Sequence, residues 1–154
     1  SNCGMHTMDI MRMESGFLHW GHDISPAENQ YEAGLNFAIS YKKNKNFIGR
    51  DFLLKIKDKK LKKRLVMLCL KDSSPGKPLL LHDEPIYLDD KIIGVTTSGN
   101  FSFNFKKNLS FGYIKSDLSN EELLEENLYV EIEKNKYSAE ILLKPLKQTD
   151  FKNL

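Results

Sequence analysis

Apolar positions recur along this chain with two different periods, and the change from one to the other falls near Lys63. Before it, Met5, Met8, Ile10, Met11 and Met13 make an apolar stripe at helical spacing; Arg12 and Glu14 mark its end, and Gly16 can supply a left-handed closing residue. A chain that opens inside a helix implies a further part upstream. Phe17 to Asp23 carries no period. Ser25-Pro26-Ala27-Glu28 is a capping box with proline at the first helical position, predicting a short helix from Pro26 to about Ala33, stopped by Gly34. Leu35, Phe37 and Ile39 then alternate with polar residues and predict a half-buried strand to Tyr41, followed by a polar turn from Lys42 to Asn46. After Gly49, the spacing of Phe52, Leu53 and Ile56 predicts a helix of roughly two to three turns. From Lys55 to Arg64 there are seven lysines and arginines against one aspartate, the composition of a solvated helix face and linker rather than of an anion site.

Beyond Arg64 the period shortens to that of strands. Leu65 to Leu70 is a continuous apolar run, Pro75-Gly76-Lys77-Pro78 is a turn, and Ile86-Tyr87-Leu88 and Ile92-Ile93-Gly94-Val95 flank Asp89-Asp90 as a tight hairpin. Thr96 to Phe105, Leu109 to Ile114, Leu128 to Glu133 and Tyr137 to Leu143 follow as further strands, with a helical turn at Glu121 to Glu126 and a hairpin turn at Lys134-Asn135. Val130 and Ile132 alternate with Glu131 and Glu133, and Tyr137, Ala139, Ile141 and Leu143 repeat the pattern. The predicted class is α+β: a partial mixed α/β segment over residues 1–62, then a small antiparallel β-barrel over 63–154.

Composition narrows the function classes. The chain has 154 residues, enough for one real core, and a formal net charge of +2 that gives no footprint for nucleic acid. Cys3 and Cys69 lie far apart, so neither a disulfide framework nor a paired zinc motif is expected. No apolar run approaches the roughly 18 residues of a membrane span, and a cytoplasmic or organellar-matrix setting with no membrane partner follows as an expectation.

Few residues carry candidate chemistry. No Gly-x-Gly-x-x-Gly or P-loop occurs, and Gly94 with Gly99 fits turn and bulge roles better than a phosphate cradle. His19 and His22 flank Trp20 but lack a third ligand and read as loop histidines, so no metal site is expected; Cys69 in its apolar run reads as a buried small hydrophobe. Glu14, Asp23 and Glu32 stand apart. They sit among aromatics and glycines rather than on a charged stripe, either as ligands or as acceptors for loop amides.

At these residues a family resemblance emerges. Arg12-Met13-Glu14-Ser15-Gly16, Trp20-Gly21-His22-Asp23-Ile24, Tyr31-Glu32-Ala33-Gly34-Leu35 and Phe47-Ile48-Gly49-Arg50 resemble the folate-dependent aminomethyltransferases, that is, the glycine-cleavage T-protein and the C-terminal halves of dimethylglycine and sarcosine dehydrogenases. The His19-Trp20-Gly21-His22-Asp23 wording leans toward the dehydrogenase branch, and Gly94 to Gly99, Lys107-Asn108 and Phe111 to Ile114 resemble the family's C-terminal barrel.

The resemblance implies tetrahydrofolate as cofactor and capture of a one-carbon unit from a small amine-derived substrate. It places the family's catalytic aspartate upstream of these residues, so no catalytic residue is assigned; Asp9 and Asp23 do not take that role. The glutamate that holds the pterin ring maps onto Glu14, with Trp20 and Tyr31 shaping the cavity and Lys45 as a basic contact. A pterin edge presents two adjacent donors, which a carboxylate can accept side by side. The implied partner is the missing N-terminal half or a separate dehydrogenase or oxidase subunit. Met5, Met8 and Met11 with Phe17 and Trp20 form the face expected to meet it, and self-association is expected where that face is bare.

Overall fold

The computed structural model describes residues 2–42 and 46–146. Six antiparallel strands close into a barrel: β1 (Arg64–Leu70), β2 (Pro85–Leu88), β3 (Lys91–Ser102), β4 (Lys107–Ile114), β5 (Leu128–Ile132) and β6 (Asn135–Leu142), in the spatial order β1-β4-β3-β2-β5-β6 with β6 returning to β1. The predicted barrel is therefore present. The hairpin around Asp89-Asp90 joins β2 to β3, Lys134 follows the end of β5, and the two segments read as separate strands on either side of Val95-Thr96 are one long strand, β3.

Alternation explains how the barrel fills. Val66, Leu68 and Leu70 of β1 join Ile86, Ile114 and Val130 in the interior cluster, where each such side chain contributes about 1.5–3 kcal/mol by leaving water. The intervening Met67 and Cys69 point to the outer face, where α1 (Met5–Glu14) covers them with Ile10 and Met13. A strand buried on both faces reads as an unbroken apolar run, which is why Leu65 to Leu70 shows no alternation. Cys69 is fully buried there, and desolvation pushes its thiol above the ordinary range.

Ile10 and Met13 of the predicted stripe are buried, while Met5, Met8 and Met11 are exposed, as expected of the face assigned to a partner. Two expectations for the N-terminal part need correction. The predicted helix from Pro26 is absent. Ser25 does cap, its amide and hydroxyl both meeting Glu28 Oε2, but a second reciprocal pair starts at once: Asn29 Oδ1 accepts from the amides of Tyr31 and Glu32, and Asn29 N–H donates to Glu32. Two caps four residues apart make two separate turns, because each spends the amides the other would need for a continuing helix. Gly34 closes the second turn at φ +70°. The predicted strand from Leu35 is instead a short 3-10 helix, Asn36–Ala38, with Phe37 exposed; the alternation has no neighbouring strand to pair with. The later helix is present as α2 (Arg50–Ile56), which buries Leu53.

The basic run is solvated as expected through Lys62, with Lys55, Lys57, Lys59, Lys60 and Lys62 exposed; Lys63 and Arg64 differ. α2 ends at Ile56, and Arg64 is a clamp: its guanidinium donates to Asn120 Oδ1 and to the carbonyls of Ser116 and Leu118, fixing the approach to α3 (Asn120–Leu123), which Ser119 and Glu122 cap reciprocally. Lys63 is half-buried and paired with Glu28. Among the described residues no helix is long and apolar enough to cross a membrane.

Candidate functional site

The loop after α1 is held to the barrel by one buried charge. Asp23 is 1% exposed and accepts four hydrogen bonds: from Arg12 Nη1 (2.6 Å) and the His19 amide (2.9 Å) at Oδ2, and from Thr97 (2.6 Å) and Ser98 (2.7 Å) at Oδ1. Arg12 also reaches Asp9, the Phe17 carbonyl and Ser98 Oγ. Four acceptor positions filled by four donors leave this carboxylate nothing to offer a ligand. Asp23 is a structural anchor; Glu32 accepts from the Asn29 amide through Oε2, while its carbonyl accepts from Leu65 N–H.

Glu14 lies at the end of α1, 2% exposed, against the β3–β4 turn. Ser102 Oγ donates to its Oε1 at 2.5 Å, and Asn104 Nδ2 straddles the two oxygens at 3.3 and 2.9 Å. Gly16, with φ +76°, turns the chain away immediately afterwards. Trp20 is 65% exposed. Tyr31 lies elsewhere, its hydroxyl 2.6 Å from that of Tyr41; partial burial first, and then this bond, push its phenol up to about 12. Lys45 falls outside the described residues. The rings of His19 and His22 lie 4.6 Å apart, with His19 Nδ1 3.9 Å from Asp9.

Asp23, His22 and Thr97 line a cleft of about 820 Å³ between loop 21–28 and the start of β3, and Glu14, Trp20 and Tyr31 do not. Its floor is a cluster the sequence did not reveal. Lys63 Nζ sits 2.5 Å from Glu28 Oε1 and 4.7 Å above the Tyr113 ring. The Tyr113 hydroxyl is buried and, among the described residues, has no hydrogen-bond partner. Burial, and then the nearby charges of Glu28, Asp23 and Glu32, push its pKa far up, so it stays a neutral donor at any ordinary pH. An unmet buried donor costs about 1–3 kcal/mol, which an acceptor brought by a ligand would return.

Glu28 is the titrating member of this cluster. Burial alone would raise its pKa, but the hydrogen bond and charge of Lys63 and the bonds from Ser25 outweigh it and hold the carboxyl below its ordinary value. A depressed folded-state pKa contributes stability that is fully present above the unfolded value, about 4.3, and is lost as pH falls through the lowered folded value. Glu28→Gln is accordingly expected to destabilise at neutral pH, with the gap to wild type closing in acid. Urea melts at about pH 7 and pH 3 measure this, and a gap independent of pH would disprove it.

Residues 63–147 match the glycine cleavage T-protein C-terminal barrel domain, and residues 1–43 match the GCVT N-terminal domain. The chain belongs to the glycine cleavage T-protein family. Over 151 residues it is 35% identical to human dimethylglycine dehydrogenase, covering 97% of this chain and 16% of that protein. Aminomethyltransferases of Synechococcus elongatus (32% over 143 residues) and Listeria welshimeri (37% over 142) are matched over 93% and 92% of this chain and 37% of their own length. The crystal structure of glycine cleavage system aminomethyltransferase T from Bartonella henselae superposes with a TM-score of 0.75 at 21% identity, over 91% of this chain and 38% of that one, which shows a shared fold. This T-protein family chain thus spans little more than a third, or less, of the relatives it matches.

Within the family frame, the words quoted from the sequence fall into two groups. Arg12, Asp23 and the Thr97-Ser98 pair belong to one hydrogen-bonded network, although they come from three different words. Glu14 faces the β3–β4 turn, Trp20 is exposed, and Tyr31 meets Tyr41. The Glu28, Lys63 and Tyr113 cluster had no signal in the sequence beyond an unusual tyrosine in a glycine-containing strand.

Proposed function

We propose that this chain is the C-terminal part of a tetrahydrofolate-dependent aminomethyltransferase-like protein that handles one-carbon units from glycine-, sarcosine- or dimethylglycine-type amines. In this reading residues 1–62 are the remainder of the folate-binding domain and 63–154 the barrel, and Glu14, Trp20, Tyr31 and Lys45 face the cofactor once the upstream half is joined. The observation that carries it is the environment of Glu14. The Asn104 amide nitrogen lies within hydrogen-bond distance of both carboxylate oxygens, so the carboxylate presents its two oxygens side by side to a donor, and Asn104 is exposed. Met5, Met8, Met11 and Phe17 line one exposed apolar concavity on α1, suited to a covering half, and Trp20 is exposed as well.

Bound tetrahydrofolate would supply the acceptor for the one-carbon unit; Glu14 would hold and orient the pterin, and Ser102 would keep the carboxylate turned toward it. Charge-assisted bonds contribute roughly 1.5–3 kcal/mol each, so Glu14→Gln in a protein rejoined to its upstream half is expected to weaken reduced-folate binding about tenfold or more. Because Ser102 and Asn104 also rely on Glu14, the melting temperature falls too, and the affinity is the deciding readout. Calorimetric titration that found it unchanged would remove Glu14 from the site. The 154-residue chain alone is expected to show no turnover of a glycine, sarcosine or dimethylglycine adduct, and measurable turnover would overturn this part of the reading.

The bare face of α1 equally supports a second reading, a non-catalytic folate-binding or assembly module that pairs with a separate dehydrogenase or oxidase subunit. A reading frame continuing upstream into a segment with the catalytic aspartate favours the first; a partner chain that co-purifies and covers Met5 to Trp20 against amide exchange favours the second.

A further inference from the structure

The cleft above the Glu28, Lys63 and Tyr113 cluster continues into a second one of about 540 Å³, and the two share Lys91, Ile93 and Lys115. We propose that this double cleft binds a small organic anion, a phosphate or carboxylate group carried on an apolar body about the size of one ring. None of Glu14, Trp20 and Tyr31 lines it, so the inference stands or falls separately from the pterin reading.

The charge balance points to an anion. In the first cleft Asp23 is neutralised by Arg12 and Glu28 by Lys63. In the second, Lys60 pairs with Asp117 at 2.6 Å. The cations left over are Lys62, Lys91 and Lys115, none of which forms an ion pair among the described residues; Lys91 acts on Asp117 only at longer range. Three ammonium groups around one concavity, with every lining carboxylate already engaged, raise the local concentration of anions.

The walls demand an apolar body as well. Ile92 is 56% and Val95 44% exposed on the first cleft, beside buried Ile93. β-branched side chains on a barrel wall are bare here because the β2–β3 register shifts between Ile86 and Tyr87, which breaks the alternation and turns Ile92 and Val95 outward. Tyr113 adds a hydroxyl donor without an acceptor. Concave shape, apolar walls and a few unmet donors are the ordinary makings of a small-ligand site. Inorganic phosphate satisfies only the lysines and a neutral aromatic only the walls.

The test uses the full chain with labelled Ile and Val methyls, titrated at low salt with phenyl phosphate, phenylacetate, inorganic phosphate and benzyl alcohol. Either organic anion should move the Ile92, Ile93 and Val95 methyls saturably, with inorganic phosphate and benzyl alcohol at least tenfold weaker. Whichever organic anion binds tighter identifies the headgroup. Lys91→Gln with Lys115→Gln, both at exposed positions, should weaken binding at least tenfold without moving the melting temperature, and Val95→Ser should weaken both organic anions alike. Benzyl alcohol or inorganic phosphate binding as well as phenyl phosphate, unmoved methyls, or full affinity in the double lysine variant would each overturn the proposal.

Discussion

Asp23→Asn is expected to lower the melting temperature by roughly 6–20 °C. The carboxylate is buried and takes Arg12, Thr97, Ser98 and the His19 amide together. Removing one partner of a buried pair leaves the other uncompensated and costs about 3–5 kcal/mol, and each kcal/mol corresponds to about 2–4 °C in a chain of this size. Asparagine keeps the shape but loses the charge, and its amide turns a donor toward a site built only of donors. Arg12→Met should cost a similar amount by stranding Asp23. The double variant Arg12→Met with Asp23→Asn should cost less than the sum, because no charge is then left buried alone. Thermal melts of the four proteins decide this: an Asp23→Asn variant melting within about 2 °C of wild type would mean that the network holds position without contributing stability.

Gly94→Ala is expected to cost about 3 kcal/mol or more, above the usual 1–3 kcal/mol of an overpacked site. A Cβ built at Gly94 would lie 2.0 Å from the Tyr113 carbonyl oxygen and 3.0 Å from Ile114 Cα. These are backbone atoms of β4, which pairs with β3 at this point, so no side chain can rotate away and the strands must separate. Since β4 also pairs with β1, the strain passes into barrel closure. Urea denaturation measures the loss, and a variant as stable as wild type would show that β3 and β4 slide here without penalty.

The barrel was legible in the sequence because its signals are local. Val130 and Ile132 alternate with glutamates, Asp89-Asp90 interrupts two apolar runs, and both facts survive without knowledge of neighbours. The segment from Ser25 to Tyr41 was not legible. The Ser25 to Glu28 box forms in part, Glu28 reaching back to the Ser25 amide while Ser25 Oγ accepts from Ala27 N–H, but Asn29 and Glu32 form a second cap directly after it, which competes for the chain. Leu35, Phe37 and Ile39 alternate without a strand beside them, so their pattern had nothing to pair with. At the site, Asp23 and Glu14 stood out as carboxylates away from charged stripes, yet their partners lie far off in sequence: Ser98 is 75 residues from Asp23 and Ser102 is 88 from Glu14. Burial by a distant strand turned one reading of these carboxylates, that of acceptors for structure, into the dominant one for Asp23. Lys63 counted as part of a solvated run until Glu28 and Tyr113 came to it through the fold.

The pairing of β6 with β1 has a meaning for how the chain is made. β1 is synthesised some 65 residues before β6 and finds β4 on one side, but its other edge stays open until residues 139–142 leave the ribosome. Until then β1 and β5 both present unpaired amides and carbonyls, the edges on which chains join one another. A nascent chain that pauses before Asn135 therefore carries the hazards of an open sheet, while Met67 and Cys69 lie on the face that α1 covers in the folded chain. Among the described elements α1 precedes β1 in the chain, so the cover for that face of β1 is made before the strand it covers.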